Sequence, residues 1–186
     1  DLHLSIRRQR QMCIRDRVTD NPVNRCYYCK QGVFGTILEA AKNDGMTVIL
    51  DGTNASDDAD DRPGMKALQE MKVLSPLRMC GYVKSEIRKQ SKEVGLFVYN
   101  KPSYACLATR IPTGTEIDEE KIKQVETAET FLFDLGFSDF RVRWMDNKAK
   151  IQMPESQLQA LMEKREVVLE ELSKIFDEVL LDLRTR

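Results

Sequence analysis

The chain has 186 residues, and its 29 Lys and Arg nearly balance its 30 Asp and Glu, which leaves a formal net charge of -1. An apolar content of 41% is that of a globular chain rather than a disordered one, and no basic excess marks a protein that neutralises nucleic-acid phosphates. The single histidine, His3, excludes Ser-His-Asp triads and histidine-rich zinc sites, and no apolar run reaches the roughly 18–20 residues that span a bilayer.

Residues 1–17 are arginine-rich and lack a helical or strand period, so we expect them to be a non-native leader. The alternative is a mobile basic arm. Cys13 and His3 fall in this stretch and therefore carry no functional prediction. Without a secretion signal, the cysteines predict reduced thiols and a cytoplasmic protein.

The first part of the chain, residues 18–113, alternates between helical and strand patterns. Helices are predicted over residues 31–43, 63–71 and 85–94, the last with Ile87 and Val94 on its buried face. The apolar run at residues 46–50 predicts a buried parallel strand with a functional loop at its carboxyl end. This alternation predicts an α/β fold in which helices cover both faces of a parallel sheet.

The second part, residues 114–186, has a different order of predicted helices and strands. It is predicted to contain a helix over residues 118–135, a hairpin of strands 140–144 and 149–153, a broken helical stretch over 155–176 and a strand over 178–183. This order predicts a smaller α+β domain for substrate binding or oligomerisation. A loop over residues 101–114 precedes it, and the domain boundary is expected near residues 112–116.

Three cysteines are the strongest candidates for chemistry. Cys26 and Cys29 form a Cys-x-x-Cys motif at the start of a predicted helix, where flanking cations and the helix dipole favour thiolates, and Cys106 lies on the later loop. Four interpretations are open: a redox pair, a structural zinc site, an incidental thiol pair, and a 4Fe–4S cluster with three cysteine ligands. Three thiolates suit the cluster, whose fourth iron stays open, better than zinc, which takes four ligands. Cys80 is predicted to lie in the core.

Cationic residues accompany the third thiol. Arg110 follows Cys106 by four residues, and Arg141 and Arg143 alternate on one predicted strand, so both point to the same face. Two guanidinium groups on one strand face form a receptor for phosphate or carboxylate. The alternative is that they cover the solvent face of the sheet.

Polar residues after the first predicted strand indicate a nucleotide site. Asp51 and Asn54 follow that strand directly, at the edge of the sheet where nucleotides bind in α/β folds. The carboxylates that follow would bind Mg²⁺: Asp57, Asp58, Asp60 and Asp61. The alternative for this acidic run is a solvated loop.

Eight motifs occur in the order and at the intervals of one family. They are residues 21–30 (NPVNRCYYCK), 51–54 (DGTN) with Asp57, 62–64 (RPG), 75–77 (SPL), 84–88 (KSEIR), 95–96 (GL), 101–103 (KPS) and 106–112 (CLATRIP). From about Thr19 to Leu183 the chain resembles the ATP-dependent sacrificial sulfur transferases of the LarE type. These are PP-loop ATP pyrophosphatases with an adenine nucleotide alpha hydrolase-like fold.

The resemblance implies an enzyme that binds ATP and adenylylates a carboxylate of pyridinium-3,5-biscarboxylic acid mononucleotide. Sulfur then replaces the activated oxygen, and the thiocarboxylate leads to the nickel-pincer nucleotide of lactate racemase. Some members give up the sulfur of their own cysteine. Others have a Cys-x-x-Cys and a later cysteine that bind a 4Fe–4S cluster carrying an extra sulfide, and this pattern makes Cys26, Cys29 and Cys106 the expected ligands. The sulfur donor is left open.

The resemblance also implies roles for the polar residues. Arg110 is expected to stabilise charge on the attacked carboxylate, and Arg141 and Arg143 to bind the phosphate or carboxylate of the substrate. Asp51 and Asn54, with Asp57 as a weaker candidate, are expected to lie in the nucleotide pocket. The family also implies a homo-oligomer, and no membrane or nucleic-acid partner is expected.

One family feature has no counterpart in the sequence. The Ser-Gly-Gly-x-Asp-Ser loop that cradles the ATP phosphates would lie upstream of Thr19 and does not occur. We therefore expect this chain alone to lack ATP pyrophosphatase activity in a pyrophosphate-release assay, and the complete protein to have it. Two alternatives stay open: another PP-loop enzyme (tRNA thiolase, GMP synthetase-like or NAD synthetase-like) and a non-enzymatic, metal-stabilised α/β module.

Overall fold

The computed structural model describes residues 16–57 and 63–184, which form two compact units. Unit 1 extends to Lys101 and unit 2 begins at Pro102, whereas the sequence pattern places a boundary near residues 112–116. The loop after Pro102 belongs to unit 2 because it is hydrogen-bonded to the sheet of that unit. Most of the predicted leader (residues 1–15) and three of the predicted Mg²⁺ ligands (Asp58, Asp60 and Asp61) lie outside the described residues.

Helices dominate unit 1. They are α1 (Arg25–Asn43), α2 (Pro63–Glu70), α3 (Pro76–Met79) and α4 (Lys84–Glu93). The predicted helices at residues 31–43, 63–71 and 85–94 are confirmed, although α1 begins six residues earlier than predicted. A small apolar cluster of Met65, Leu68 and Val73 lies where α2 leads into the next extended segment.

Two predictions of burial for valine residues in unit 1 are wrong. Val48, in the predicted buried strand, is 57% exposed, and this segment pairs through a single parallel bridge between Leu50 and Leu74. One bridge orders the backbone locally but brings no second layer over the side chains. Val94, predicted to face inward at the end of α4, is 72% exposed because the helix ends there and the chain turns at Gly95.

Unit 2 contains the helices and strands that the sequence predicts. They are a 3₁₀ helix (Leu107–Arg110), α5 (Glu119–Asp134), β1 (Arg141–Met145), β2 (Lys148–Gln152), a second 3₁₀ helix (Glu155–Gln157), α6 (Leu158–Glu163), α7 (Arg165–Leu172) and β3 (Glu178–Leu181). The predicted helix, hairpin and broken helical stretch are confirmed. The predicted loop at residues 101–114 contains the first 3₁₀ helix.

The sheet of unit 2 has the order β1-β2-β3, with β1 antiparallel and β3 parallel to β2. The hairpin turns at Asp146 and Asn147, whose φ values of 48° and 57° are those of a type I′ turn. Val142, Ala149 and Ile151 point to one face and join the core. The register places polar side chains on the opposite face: Arg141, Arg143, Lys150 and Gln152.

Helix α5 covers the apolar face of the sheet with a stripe of buried residues at helical spacing: Val125, Ala128, Glu129 and Leu132. The Asp118 carboxylate caps the helix by accepting a hydrogen bond from the backbone N–H of Lys121 at 2.7 Å. Gly136, with φ of 92°, ends it as predicted.

The mixture of helices and strands is consistent with the α/β class. The parallel sheet of a PP-loop domain stays a prediction for unit 1. Within the described ranges, no helix combines the length and the apolar composition that crossing a membrane requires.

Candidate functional site

The Cys-x-x-Cys motif lies on the first two turns of α1. Cys26 and Cys29 are three residues apart, so they occupy neighbouring positions on one side of the helix, and both are exposed. Helix α2 packs closely beside them: a Cβ at Gly64 would come within 3.1 Å of the Lys30 side chain and 3.6 Å of the Cys26 carbonyl. Helix α2 therefore lies against the turn of α1 that carries both thiols.

A second contact fixes the same turn of α1. The Tyr27 hydroxyl, between the two cysteines in sequence, donates to Glu70 Oε2 at 2.6 Å. This hydrogen bond to a carboxylate raises the pKa of Tyr27, with a smaller contribution from desolvation. The phenol thus stays protonated as a donor. Its hydrogen bond joins the turn of α1 that carries both cysteines to α2.

Asp51, Asn54 and Asp57 lie on one loop of unit 1, and the nucleotide pocket stays a prediction. The Asp57 Oδ2 atom accepts from both the backbone N–H and the side-chain amide of Asn54, at 3.1 and 2.9 Å. Asp51 accepts from the backbone N–H and the hydroxyl of Thr53, at 3.2 and 2.6 Å. Partial burial acts to raise the pKa of Asp51, but hydrogen bonds from Ser75 and Thr53 outweigh it, so this pKa is lowered.

The same loop is anchored to the chain at the start of α4. The Ala55 N–H donates to the Tyr82 carbonyl at 2.8 Å, and the Ser56 hydroxyl accepts from the N–H of Lys84, the first residue of α4, at 3.0 Å. Both contacts join the end of the loop to the short segment from Tyr82 to Lys84. They fix the backbone of the loop just after Asn54.

The turn that carries Cys106 is surrounded by arginine. We call residues 103–110 the thiol turn. Arg110, at its end, is 2% exposed and forms a two-point ion pair with Glu129 of α5: Nε lies 2.6 Å from Oε1, and Nη2 lies 3.0 Å from Oε2. Its remaining amino group donates to the Thr109 hydroxyl at 2.9 Å and to the Ala105 carbonyl at 3.4 Å. Arg110 therefore holds the turn from inside.

Arg141 and Arg143 bind the thiol turn from the sheet. Arg141 Nη2 donates to the Ser103 carbonyl, and its guanidinium lies 4.8 Å from the centre of the Tyr104 ring. Arg143 Nη1 donates to the Thr109 carbonyl at 3.0 Å. The two carbonyls lie three residues on either side of Cys106. The arginines do not cover a solvent face, because Arg141 is buried and Arg143 is half-buried.

Glu129 is the residue of this site that sequence analysis missed. Its Oε1 atom also accepts the backbone N–H of Val142 at 2.9 Å, so a single buried carboxylate joins the thiol turn, α5 and β1. A signal was present in the sequence. Glu129 falls in the inward stripe of α5, between Ala128 and Leu132, where a carboxylate requires a cationic partner.

The predicted metal ligands are divided between the units. Cys26 and Cys29 belong to unit 1 and Cys106 to unit 2, and all three are exposed. Among residues 16–57 and 63–184, no three Cys, His, Asp or Glu side chains form a set that would hold a metal ion. The pair on α1 fits two thiolate ligands of one centre; the cluster and the Mg²⁺ site stay predictions. Cys80 is exposed, so its predicted place in the core is wrong: it follows the short α3 at a turn.

No protein-family profile matches the chain. The chain is 34% identical, over 77% of its length, to the pyridinium-3,5-bisthiocarboxylic acid mononucleotide synthase of Lactiplantibacillus plantarum. It is 39% identical over 85% of its length to an uncharacterized protein of Synechocystis sp., and 31% identical over 82% to one of Methanocaldococcus jannaschii. These matches cover 52%, 58% and 60% of the respective relatives, so the chain spans little more than half of their length.

Proposed function

We propose that this chain is part of a sulfur-transferring enzyme of the LarE type that converts a carboxylate of a pyridinium mononucleotide to a thiocarboxylate. Eight motifs in family order support the proposal, as does the similarity to a synthase whose name states this class of product. The observation that carries it is the exposed thiol of Cys106 on a turn bound by three arginines: Arg110, Arg141 and Arg143.

The reaction has two chemical steps. A carboxylate oxygen of pyridinium-3,5-biscarboxylic acid mononucleotide attacks the α-phosphorus of ATP, and pyrophosphate leaves. A sulfur nucleophile then adds to the acyl carbon, and AMP leaves with the former carboxylate oxygen. Activation is needed because oxide is a poor leaving group, whereas AMP departs readily from the tetrahedral adduct.

The proposed roles follow the two units. In unit 1, Asp51 and Asn54, with Asp57, serve the nucleotide pocket on their anchored loop, and Mg²⁺ would accompany the ATP phosphates there. In unit 2, Arg143 is the better placed of the strand arginines for a substrate phosphate, because it is half-buried while Arg141 is 5% exposed.

The proposed role of Arg110 is supported by its hydrogen bonds. Its Nε and Nη2 atoms donate to Glu129, and its Nη1 atom donates to the backbone of the thiol turn, beside Cys106. Because Arg110 is 2% exposed, we propose that it serves the attack on the carboxylate by holding the thiol turn in place rather than by touching the substrate.

We also propose that Cys26, Cys29 and Cys106 are the ligands of a 4Fe–4S cluster. Thiolates are the ligands that iron–sulfur clusters use, and exposed cysteines leave room for an open iron position. When bound, the cluster would supply the sulfide for transfer.

Product analysis of the complete protein tests the proposed function. The protein is incubated anaerobically with ATP, the biscarboxylic acid mononucleotide and a sulfide source, and mass spectrometry follows the exchange of oxygen for sulfur. We expect product from the unaltered protein and from Cys80→Ser, which removes an exposed thiol outside the site. Cys106→Ser should give none. Full product formation by Cys106→Ser would contradict the proposal.

A further inference from the structure

A chain of hydrogen bonds runs across the polar face of the unit 2 sheet to Arg143. The Arg143 Nε atom donates to Gln152 Oε1, and Gln152 Nε2 donates to Asp182 Oδ2 at 2.6 Å. Lys150 Nζ lies 2.7 Å from the same carboxylate oxygen. The chain therefore begins at a carboxylate just beyond β3 and ends on the arginine that binds the Thr109 carbonyl.

The chemistry of these groups permits one orientation of the Gln152 amide. An ionised carboxylate only accepts hydrogen bonds, so Asp182 must face the NH₂ group of Gln152. A guanidinium only donates, so Arg143 must face the carbonyl oxygen. If the carboxylate were absent, the amide could rotate and present NH₂ to Arg143, where two donors would repel.

The position and charge of Asp182 are both fixed. Its backbone N–H donates to the Ile151 carbonyl at 2.9 Å, which extends the β2–β3 ladder by one residue. Hydrogen bonds from Lys150 and Gln152, and from the backbone N–H of Arg184, lower the pKa of Asp182, so the carboxylate is ionised at neutral pH. Only 9% of the side chain is exposed.

We propose that Asp182 is a positioning residue for the thiol turn. Its carboxylate orients the Gln152 amide, the amide holds Arg143, and Arg143 binds the turn three residues after Cys106. The relevance of these hydrogen bonds to catalysis rests on the proposed function, because only that function gives the Cys106 thiol a chemical role. The hydrogen bonds themselves do not depend on the proposed function, and they can be measured without substrate.

Hydrogen exchange by NMR tests the inference on the full chain. The probes are the Nε–H of Arg143 and the backbone N–H of Thr109, which donates to the Cys106 carbonyl at 2.9 Å. Asp182→Ala should speed exchange at both by roughly tenfold, the change expected for one lost hydrogen bond to a charged group. Glu178→Ala is the matched control, since it breaks the Lys148–Glu178 pair between the same two strands without touching Arg143.

A double variant separates positioning from general loosening of β3. In Asp182→Ala/Gln152→Glu, a carboxylate at position 152 accepts from Arg143 in either orientation, so exchange at Arg143 and Thr109 should return to within about twofold of the unaltered chain. The thermal stability lost with the Lys150–Asp182 pair should not return. If Asp182→Ala does not fold, Gln152→Met tests the same link and should speed exchange equally.

Two outcomes would overturn the inference: unchanged exchange in the variant that removes the link, or a double variant that fails to slow it again. Both are independent of the product assay with Cys106→Ser. If the product assay refuted the proposed function, the inferred role of Asp182 would still stand. If the exchange measurements refuted the role of Asp182, the proposed function would still stand.

Discussion

Arg110 and Glu129 meet in the interior of unit 2 with both carboxylate oxygens and two guanidinium nitrogens engaged, at 2.6 and 3.0 Å. Both side chains are almost wholly buried. The pair connects the thiol turn to α5, and the Val142 N–H adds β1 to the same carboxylate. A buried ion pair of this kind is costly to break, because each charge left alone has no solvent to replace its partner.

Removing Glu129 is therefore expected to destabilise unit 2 strongly. Glu129→Ala leaves the Arg110 guanidinium buried without its counterion, and we expect a loss of about 3–5 kcal/mol in the free energy of unfolding. Urea unfolding followed by the fluorescence of Trp144, the single tryptophan, measures it. Glu178→Ala is the control, since it breaks an exposed pair and should cost far less. Equal losses in the two variants would contradict this account of the thiol turn.

The cap of α5 gives a smaller and separate effect. Asp118→Ala removes the acceptor of the Lys121 N–H and should cost about 1 kcal/mol, while Asp118→Asn keeps an acceptor and should cost less. The same fluorescence assay applies. A stability of Asp118→Ala equal to that of the unaltered chain would show that the cap does not support the helix.

The lowered pKa of Asp182 predicts that the stability of the fold decreases as the pH falls. Its pKa in the folded chain lies below its value of about 3.9 in an unfolded chain, so the ionised carboxylate stabilises the fold at pH values above about 4. This stabilisation is lost as the pH falls through the depressed folded value. The melting temperature of Asp182→Asn should therefore lie below that of the unaltered chain at pH 7, and the gap should narrow on acidification toward pH 3. A gap that stays constant or widens would contradict the assignment.

The local patterns of unit 2 were sufficient to predict its elements. Apolar residues at helical spacing defined α5, and the Asp146-Asn147 turn between alternating strands defined the hairpin. In unit 1 the same reasoning predicted helices but not burial. Val48 has the sequence context of a core strand and is exposed, because burial depends on neighbours that a local pattern does not specify.

The sequence pointed to most of the residues of the candidate site, but it did not point to Glu129 or to the contacts among these residues. Cys106, Arg110 and the strand arginines were selected from residue type and spacing. The strand arginines reach the thiol turn from far along the sequence. Arg141 bonds to Ser103, 38 residues away, and Arg143 bonds to Thr109, 34 residues away. Pairings across such separations arise from the packing of α5, the sheet and the turn, and no local period encodes them.

Anaerobic reconstitution with iron and sulfide is the most direct test of the central claim that three thiols, those of Cys26, Cys29 and Cys106, act together. Absorption and EPR spectra, with the iron content, are compared for Cys26→Ser, Cys106→Ser and the control Cys80→Ser. We predict about four irons per chain in the unaltered protein and in Cys80→Ser, and no intact cluster in either of the other variants. A Cys106→Ser spectrum identical to that of the unaltered protein would contradict the claim.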